Sequence, residues 1–193
     1  MSTKVEGTAR ERLLEAASEL FYAEGVHSVG IDRVIEHAGV AKASLYSTFG
    51  SKDGLVRAYL DARSARKREL ITQRIAKLDS PRARILAVFD VLGEAVADPK
   101  YRGCAFINAS AEGGAAVRPS CVDYRTWIRS LFVELARDHG ASSPEELAEQ
   151  LLLVYDGAIV GAAMDADPAR AHSARRLAAA LIDSAPAKKS RKK

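Results

Sequence analysis

Apolar residues along this chain recur at helical spacing, with little competition from the alternating pattern of strands. Thr8 and Glu11 have the separation of a capping box, and Leu13, Ala16, Ala17, Leu20 and Phe21 make one apolar face. Gly25 is placed to end that first helix. A second helix is predicted over about Ile31 to His37, with Ile31, Val34 and Ile35 facing inward. Gly39 marks a turn, and a third helix covers about Lys42 to Thr48. Ser51 caps a long fourth helix reaching toward Leu78, with Leu55, Tyr59, Leu70 and Ile75 on its apolar side. At about 1.5 Å per residue it would be roughly 40 Å long, enough to connect two domains.

Past that point the boundaries are marked by Ser, Pro and Gly. Ser80-Pro81 starts a fifth helix ending near Asp98-Pro99, and a short helical piece follows from about Arg102. A looser stretch at Gly113-Gly114 comes next, and Pro119 precedes a helix that ends at His139-Gly140. Ser143-Pro144-Glu145-Glu146 supplies an N-cap, a first-turn proline and a capping-box Glu. Asp167-Pro168 repeats that device for a last helix ending near Ser184. No internal repeat is present. The expectation is an all-α chain of about nine helices: a three-helix N-terminal domain over 7–66, a helical bundle over 67–185, and a basic tail over 186–193.

Composition narrows the class. A length of 193 residues with 48% hydrophobic content is enough to bury a core, and the 6% aromatic content with abundant Ala favours helix over sheet. Two cysteines, Cys104 and Cys121, make neither a disulfide framework nor a metal spacing, and their scarcity suits a reducing cytoplasm. The N-terminal stretch MSTKVEGTARER lacks the apolar core of a signal peptide. The longest apolar stretch, Leu151 to Met164, is interrupted by Asp156 and is too short to cross a bilayer, so no membrane partner is expected. The formal charge of +4 is misleading: Lys188, Lys189, Arg191, Lys192 and Lys193 stand in the tail with no acid among them, and the remainder is close to neutral. That tail is either a solvated end or a salt-sensitive arm for phosphates.

Only placed charges can therefore argue for a nucleic-acid partner, and residues 38–52, AGVAKASLYSTFGSK, place them. Gly39 can take the positive φ of a tight turn, and Val40 can plug the angle between the second and third helices. Leu45 faces the core, while Lys42, Ala43, Ser44, Tyr46, Ser47 and Thr48 project elsewhere. Short hydroxyls and an apolar Ala suit base edges and thymine methyls in a major groove. The Tyr46 hydroxyl can bond a phosphate, and Lys52 adds charge to helix-terminal amides already aimed at one. The competing reading is that Tyr46, Ser47 and Thr48 are surface residues of a small bundle. Arg33 is open between a phosphate contact and a solvated side chain.

This segment resembles the DNA-binding domain of the TetR family of bacterial transcriptional regulators. The similarity runs from about Thr8 to Leu60, through LFYAEGVHSVGIDRVIEHAGVAKASLYSTFGSKDGLV, above all AGVAKASLYSTFGSK against the family's AGVSKGTLYxHFxSK. It covers a little over a quarter of the chain. The resemblance implies a helix-turn-helix over about 30–49, with Lys42, Ala43 and Ser44 at the start of the recognition helix. Tyr46 and Lys52 would hold phosphates, and Ser47 and Thr48 would lie near base edges or backbone. The chain departs from the pattern at several positions. Thr48 stands where His is common and Ala41 where a capping Ser is. Val29-Gly30 replaces a frequent Thr pair, so Gly30 caps the second helix through backbone alone. Ile35 occupies a usually small position, which implies repacking, and Asp32 near the DNA-facing start would repel phosphate unless it accepts from a cytosine amine. These changes bear on the operator sequence.

No catalytic constellation appears, so an enzyme is not expected, nor a cofactor. The four histidines lack partners at ligand spacing, which gives no metal site; Ser110 and Ser120 lack a nucleophile-elbow context, and there is no glycine-rich phosphate loop. YRGCAFINASAE, from Tyr101 to Glu112, is similar to a segment in the ligand-binding halves of many TetR-family proteins. Asn108 and Glu112 share a helical face and either read a polar group on an effector or satisfy local backbone. Phe89, Leu92, Phe106, Tyr124, Trp127 and Tyr155 line a cavity or form ordinary core. Cys104 is a redox sensor or a buried small hydrophobe. In the last two helices Leu147, Leu151, Val154, Ala158 and Ala162 make one stripe, with Gly157 and Gly161 allowing close approach, and Ala174, Leu177, Ala178 and Leu181 make another. The family resemblance implies that these form a four-helix dimer interface; the alternative is a hairpin packed on its own bundle.

The expected protein is a cytoplasmic, homodimeric regulator that binds a small-molecule effector and a double-stranded, near-palindromic DNA operator, more as a repressor. Its recognition helices would stand about 34–36 Å apart, one DNA turn. The rivals are an activator or ligand-independent DNA binder, and a small-molecule-binding module or enzyme with a borrowed helical unit.

Overall fold

The computed structural model describes residues 7–112 and 114–186, and among these it holds nine helices and no β-sheet. They are α1 (Ala9–Glu24), α2 (Ile31–Ala38), α3 (Lys42–Phe49), α4 (Lys52–Ile75), α5 (Pro81–Val96), α6 (Ala105–Glu112), α7 (Gly114–His139), α8 (Pro144–Asp165) and α9 (Ala169–Ser184). The all-α architecture expected from the sequence is the one observed. The chain divides into two compact units, one of residues up to Ala65 with Ala105–Val122, the other of Arg66–Cys104 with the residues from Asp123 on. The break follows Ala65, and α6 with the start of α7 groups with the N-terminal residues. The basic residues of the tail, from Lys188 on, and Gly113 lie outside the described residues.

In the first unit, α1 starts as its sequence dictates. The Thr8 hydroxyl accepts from the Glu11 N–H at 3.2 Å, and the Glu11 carboxylate accepts from the Thr8 N–H at 2.8 Å. That backbone hydrogen bond holds the Glu11 carboxyl below its ordinary range. Leu13, Ala16, Ala17, Leu20 and Phe21 are all buried, and α1 packs on α2 and α3 through this face. Tyr59 of α4 meets Phe21 edge-on, with centroids 5.7 Å apart, and Leu55, Val56 and Leu60 complete the core.

The second unit is built on α5, whose Ile85, Leu86, Ala87, Val88, Phe89, Val91 and Leu92 are all buried. Phe89, Phe132 and Tyr155 form a triangle of rings with centroids 5.9–6.0 Å apart. α9 packs on both α5 and α8. At its surface Arg82 of α5 grips Asp183 of α9 with two bonds, at 2.7 and 2.8 Å. Such exposed pairs contribute little to stability, because solvent screens them.

Four expectations need correction. α7 begins at Gly114 and carries Pro119 within it, instead of starting beyond the proline. The ring removes one backbone bond, and Ala115, Ala116 and Arg118 are good helix formers on its N-terminal side. In α4, Leu70 is 46% exposed and Ile71 is fully buried. Ile71 lies about 120° round the helix from Tyr59, so one stripe does not serve both ends. α8, at 22 residues, is long and apolar enough by length and composition to cross a membrane. Asp156 splits the apolar run in sequence without ending the helix, and nearly half of its apolar window is buried against the rest of the protein.

The fourth concerns the stripes assigned to dimerisation. Leu147, Leu151, Ala158, Ala162 and Ala174 are buried inside this single chain, as is Ala178. They are the faces through which α8 and α9 pack on each other and on α5, which the largest apolar stripe of an amphipathic helix does first. Val154 and Leu181 are half-buried, and only Leu177 is well exposed. The outward apolar residues are instead Leu153, Val160 and Met164 of α8, together with Leu177.

Replacing Phe132 with Ala removes the ring that Phe89 and Tyr155 both contact. It should cost about 3–5 kcal/mol in urea unfolding. Thr8→Ala should cost about 1 kcal/mol by the same measurement, through loss of the cap.

Candidate nucleic-acid interface

The turn between α2 and α3 depends on Gly39, which sits in the left-handed region at φ 61°. Its N–H donates to the Glu36 carbonyl and the Val40 N–H to the Ile35 carbonyl, closing α2. Arg12 of α1 donates to the Gly39 carbonyl at 3.2 Å, which ties the turn to the core helix. Past it, Leu45 is fully buried and anchors α3. The opposite face of α3 is left outside: Lys42, Ala43, Tyr46, Ser47 and Thr48 are exposed, and Ser44 is half-buried. The Ser47 hydroxyl donates to the Ser44 carbonyl at 3.2 Å. Neither Gly30 nor Ala41 offers a side-chain cap, as the substitutions at these positions imply. Ser51 does cap α4, accepting from the Gly54 N–H at 3.1 Å.

One requirement here was not foreseen. A Cβ on Gly54 would stand 2.0 Å from the Phe49 carbonyl oxygen, so the first turn of α4 closes on the end of α3 only with glycine at this position. A glycine inside a helical pattern was the available signal.

The candidate cations are already engaged. Lys42 donates to Asp32 at 2.8 Å, and this bond raises the lysine pKa above its ordinary value. Arg33 pairs with Glu24 through two bonds, one of them at 2.7 Å. His37 lies 2.8 Å from Glu19. Lys52 donates to the His27 carbonyl at 3.2 Å. The repulsion expected from Asp32 is therefore met within the protein by Lys42. Both side chains are more than half exposed, so the pair is cheap to open.

The residues suggested for effector binding fall on both compact units. Phe89, Leu92, Tyr124, Trp127 and Tyr155 belong to the second compact unit, while Phe106 and Asn108 lie on α6 in the first. Within the second unit, Tyr124 and Trp127 have centroids 5.9 Å apart, and the Lys67 ammonium is 5.6 Å from the ring centroids of both Tyr124 and Tyr155. Burial, then the Tyr155 phenol, holds the Tyr124 hydroxyl well above its ordinary pKa, so it is a neutral group. Arg68 stacks at 5.1 Å on Trp127 and pairs with Asp123 at 2.6 Å. Cys104 is buried. The Cys121 thiol donates weakly to the Phe106 carbonyl at 3.4 Å. Glu112 accepts from the His27 N–H at 3.2 Å. Among the described residues no group of three or more His, Cys, Asp or Glu is placed to hold a metal.

Known proteins share this fold. Residues 13–59 match the family model for bacterial regulatory proteins of the tetR family. The transcriptional regulator AcuR of Cereibacter sphaeroides is 31% identical over 185 residues, spanning 87% of this chain and 82% of that protein. A TetR-family transcriptional regulator from Streptomyces coelicolor superposes with a TM-score of 0.86 at 31% identity, covering 92% of this chain and 95% of its own. A TetR-type regulator from Streptomyces avermitilis gives 0.82 at 33% identity, covering 94% and 100%. With its helix-turn-helix, its all-α fold and these relatives, the chain belongs to the TetR family and is a DNA-binding transcriptional regulator.

Proposed function

We propose that the protein is a homodimeric, effector-responsive repressor, acting in the cytoplasm on a near-palindromic operator. Residues 7–66 read DNA and residues 67–185 bind the effector and dimerise. The observation that carries the DNA assignment is the outer face of α3, where an exposed hydroxyl-rich surface stands opposite the fully buried Leu45. Ala43, Ser47 and Thr48 meet base edges, with Ser44 beside them. Tyr46 and Lys52 hold phosphates on either side, and Lys42, Arg33 and the Gly30 backbone lie along the flanks. On binding, phosphate takes over from Asp32 and Glu24 as the partner of Lys42 and Arg33.

Dimerisation uses the apolar surface that α8 and α9 leave outside, Leu153, Val160, Met164 and Leu177, with Gly157 and Gly161 keeping the surface low. That choice follows from burial: a second subunit can cover these side chains, and it cannot reach Leu147 or Leu151. The effector is assigned to the aromatic centre of the second unit, around Phe89, Tyr124, Trp127 and Tyr155, where a neutral phenol and the Lys67 ammonium stand among apolar rings. It favours one of two states of the protein, and operator DNA favours the other.

Two measurements test this. On a duplex enriched by the protein from a randomised pool, Tyr46→Phe with Lys52→Ala should weaken binding broadly and lower the slope of log K against log salt by about 1. Ser47→Ala should instead relax selectivity at one base pair and leave the salt slope unchanged. Unchanged affinity in the first variant sinks the phosphate assignment. In sedimentation at micromolar concentration the protein should run as a dimer and Met164→Glu with Leu177→Glu as a monomer. A wild-type monomer removes the dimer reading.

A further inference from the structure

We propose that Glu112, at the C-terminal end of α6, is a positioning residue for DNA binding, acting through the His27 peptide on Lys52. The geometry is a strap across the loop between α1 and α2. The Glu112 carboxylate accepts from the His27 N–H at 3.2 Å, and on the other side of the same residue the His27 carbonyl accepts from the Lys52 ammonium at 3.2 Å. His27 is thus fixed from both faces of its backbone, by α6 on one side and by the first turn of α4 on the other. Its own side chain is exposed and contributes no anchor to the interior.

The approach of Glu112 is close enough to dictate the sequence beneath it. Gly25 adopts φ 92°, and a Cβ there would lie 2.5 Å from one Glu112 carboxylate oxygen and 3.0 Å from the other. The glycine that ends α1 therefore also makes room for the carboxylate. The loop it opens runs to Gly30, which gives α2 no side-chain cap, so the start of α2 is located by whatever holds the loop. Val26 and Val29 hold it by burial, and Glu112 and Lys52 hold the His27 backbone between them.

An ammonium has three protons, and one bond to a carbonyl leaves two for a phosphate. Restricting the long Lys52 side chain before DNA arrives lowers the entropy lost on binding, which is how a group that never touches DNA contributes to affinity. The strap rests on the reading of Lys52 as a phosphate contact, and does not rest on the effector reading.

The experiment uses the full chain, a duplex enriched by the wild-type protein from a randomised pool, and amide hydrogen exchange at His27. Glu112→Ala should weaken binding about five-fold, at the lower end of ordinary coupling between sites, and speed His27 exchange. Glu112→Gln keeps an acceptor oxygen and should restore most of both. Lys52→Ala should weaken binding, and Lys52→Ala with Glu112→Ala should be no weaker than Lys52→Ala alone. Should Glu112→Ala fail to fold, Glu112→Asp, one methylene shorter, opens the same gap and carries the same expectation. Additive losses in the double variant overturn the proposal, as does a Glu112→Gln variant as weak as Glu112→Ala. So does unchanged affinity with unchanged His27 exchange. Unchanged affinity in Lys52→Ala overturns the phosphate reading, and with it the route through Lys52.

Discussion

An eight-residue helix is too short to persist in water on its own, and the reading surface proposed for this protein is such a helix. Everything around α3 compensates for that weakness. Leu45 is driven fully into the core, Gly39 supplies the turn before it, and Gly54 lets α4 close on its C-terminal end. Because the buried side carries the stability, the exposed side is released from any structural duty and can hold small polar groups that would contribute nothing to a core. The chemistry of recognition is possible here only because one leucine and two glycines secure the helix from behind.

Charge is organised on the same principle of local provision. The chain's formal excess of positive charge sits in its tail, while Lys42, Arg33 and Lys52 near α3 are matched by a carboxylate or carbonyl of the same unit. Exposed pairs of this kind hold side chains in defined directions without storing much free energy. Orientation is what they supply, and a phosphate can replace the carboxylate at small cost.

The helical plan was legible because its signals are local. The capping box at Thr8 and Glu11, the glycine turn at Gly39 and the proline start at Pro144 each involve residues a few positions apart. What escaped was of two kinds. Contacts across long separations, such as Glu112 with His27 or Arg12 with Gly39, leave no periodic trace. Faces of helices that are apolar on more than one side were also misread. α8 carries apolar residues almost all round, so Leu147 and Leu151, which its own chain covers, look the same in sequence as Leu153 and Met164, which it leaves bare. Pro119 shows the related limit, since a strong breaker in isolation is tolerated where neighbouring residues and packing favour the helix.

The pairing of Lys42 with Asp32 and of Arg33 with Glu24 has a consequence for how such a protein would travel on a chromosome. A reading head with unmatched cations would adhere to any stretch of duplex and spend its time on the wrong sequences. With Asp32 and Glu24 in place, the charges of Lys42 and Arg33 are matched within the protein until a phosphate displaces the carboxylate. If these cations meet phosphates as proposed, long residence would be confined to sites where base contacts add to the phosphate contacts, and Asp32 and Glu24 would set the speed of the search more than the strength of the final grip.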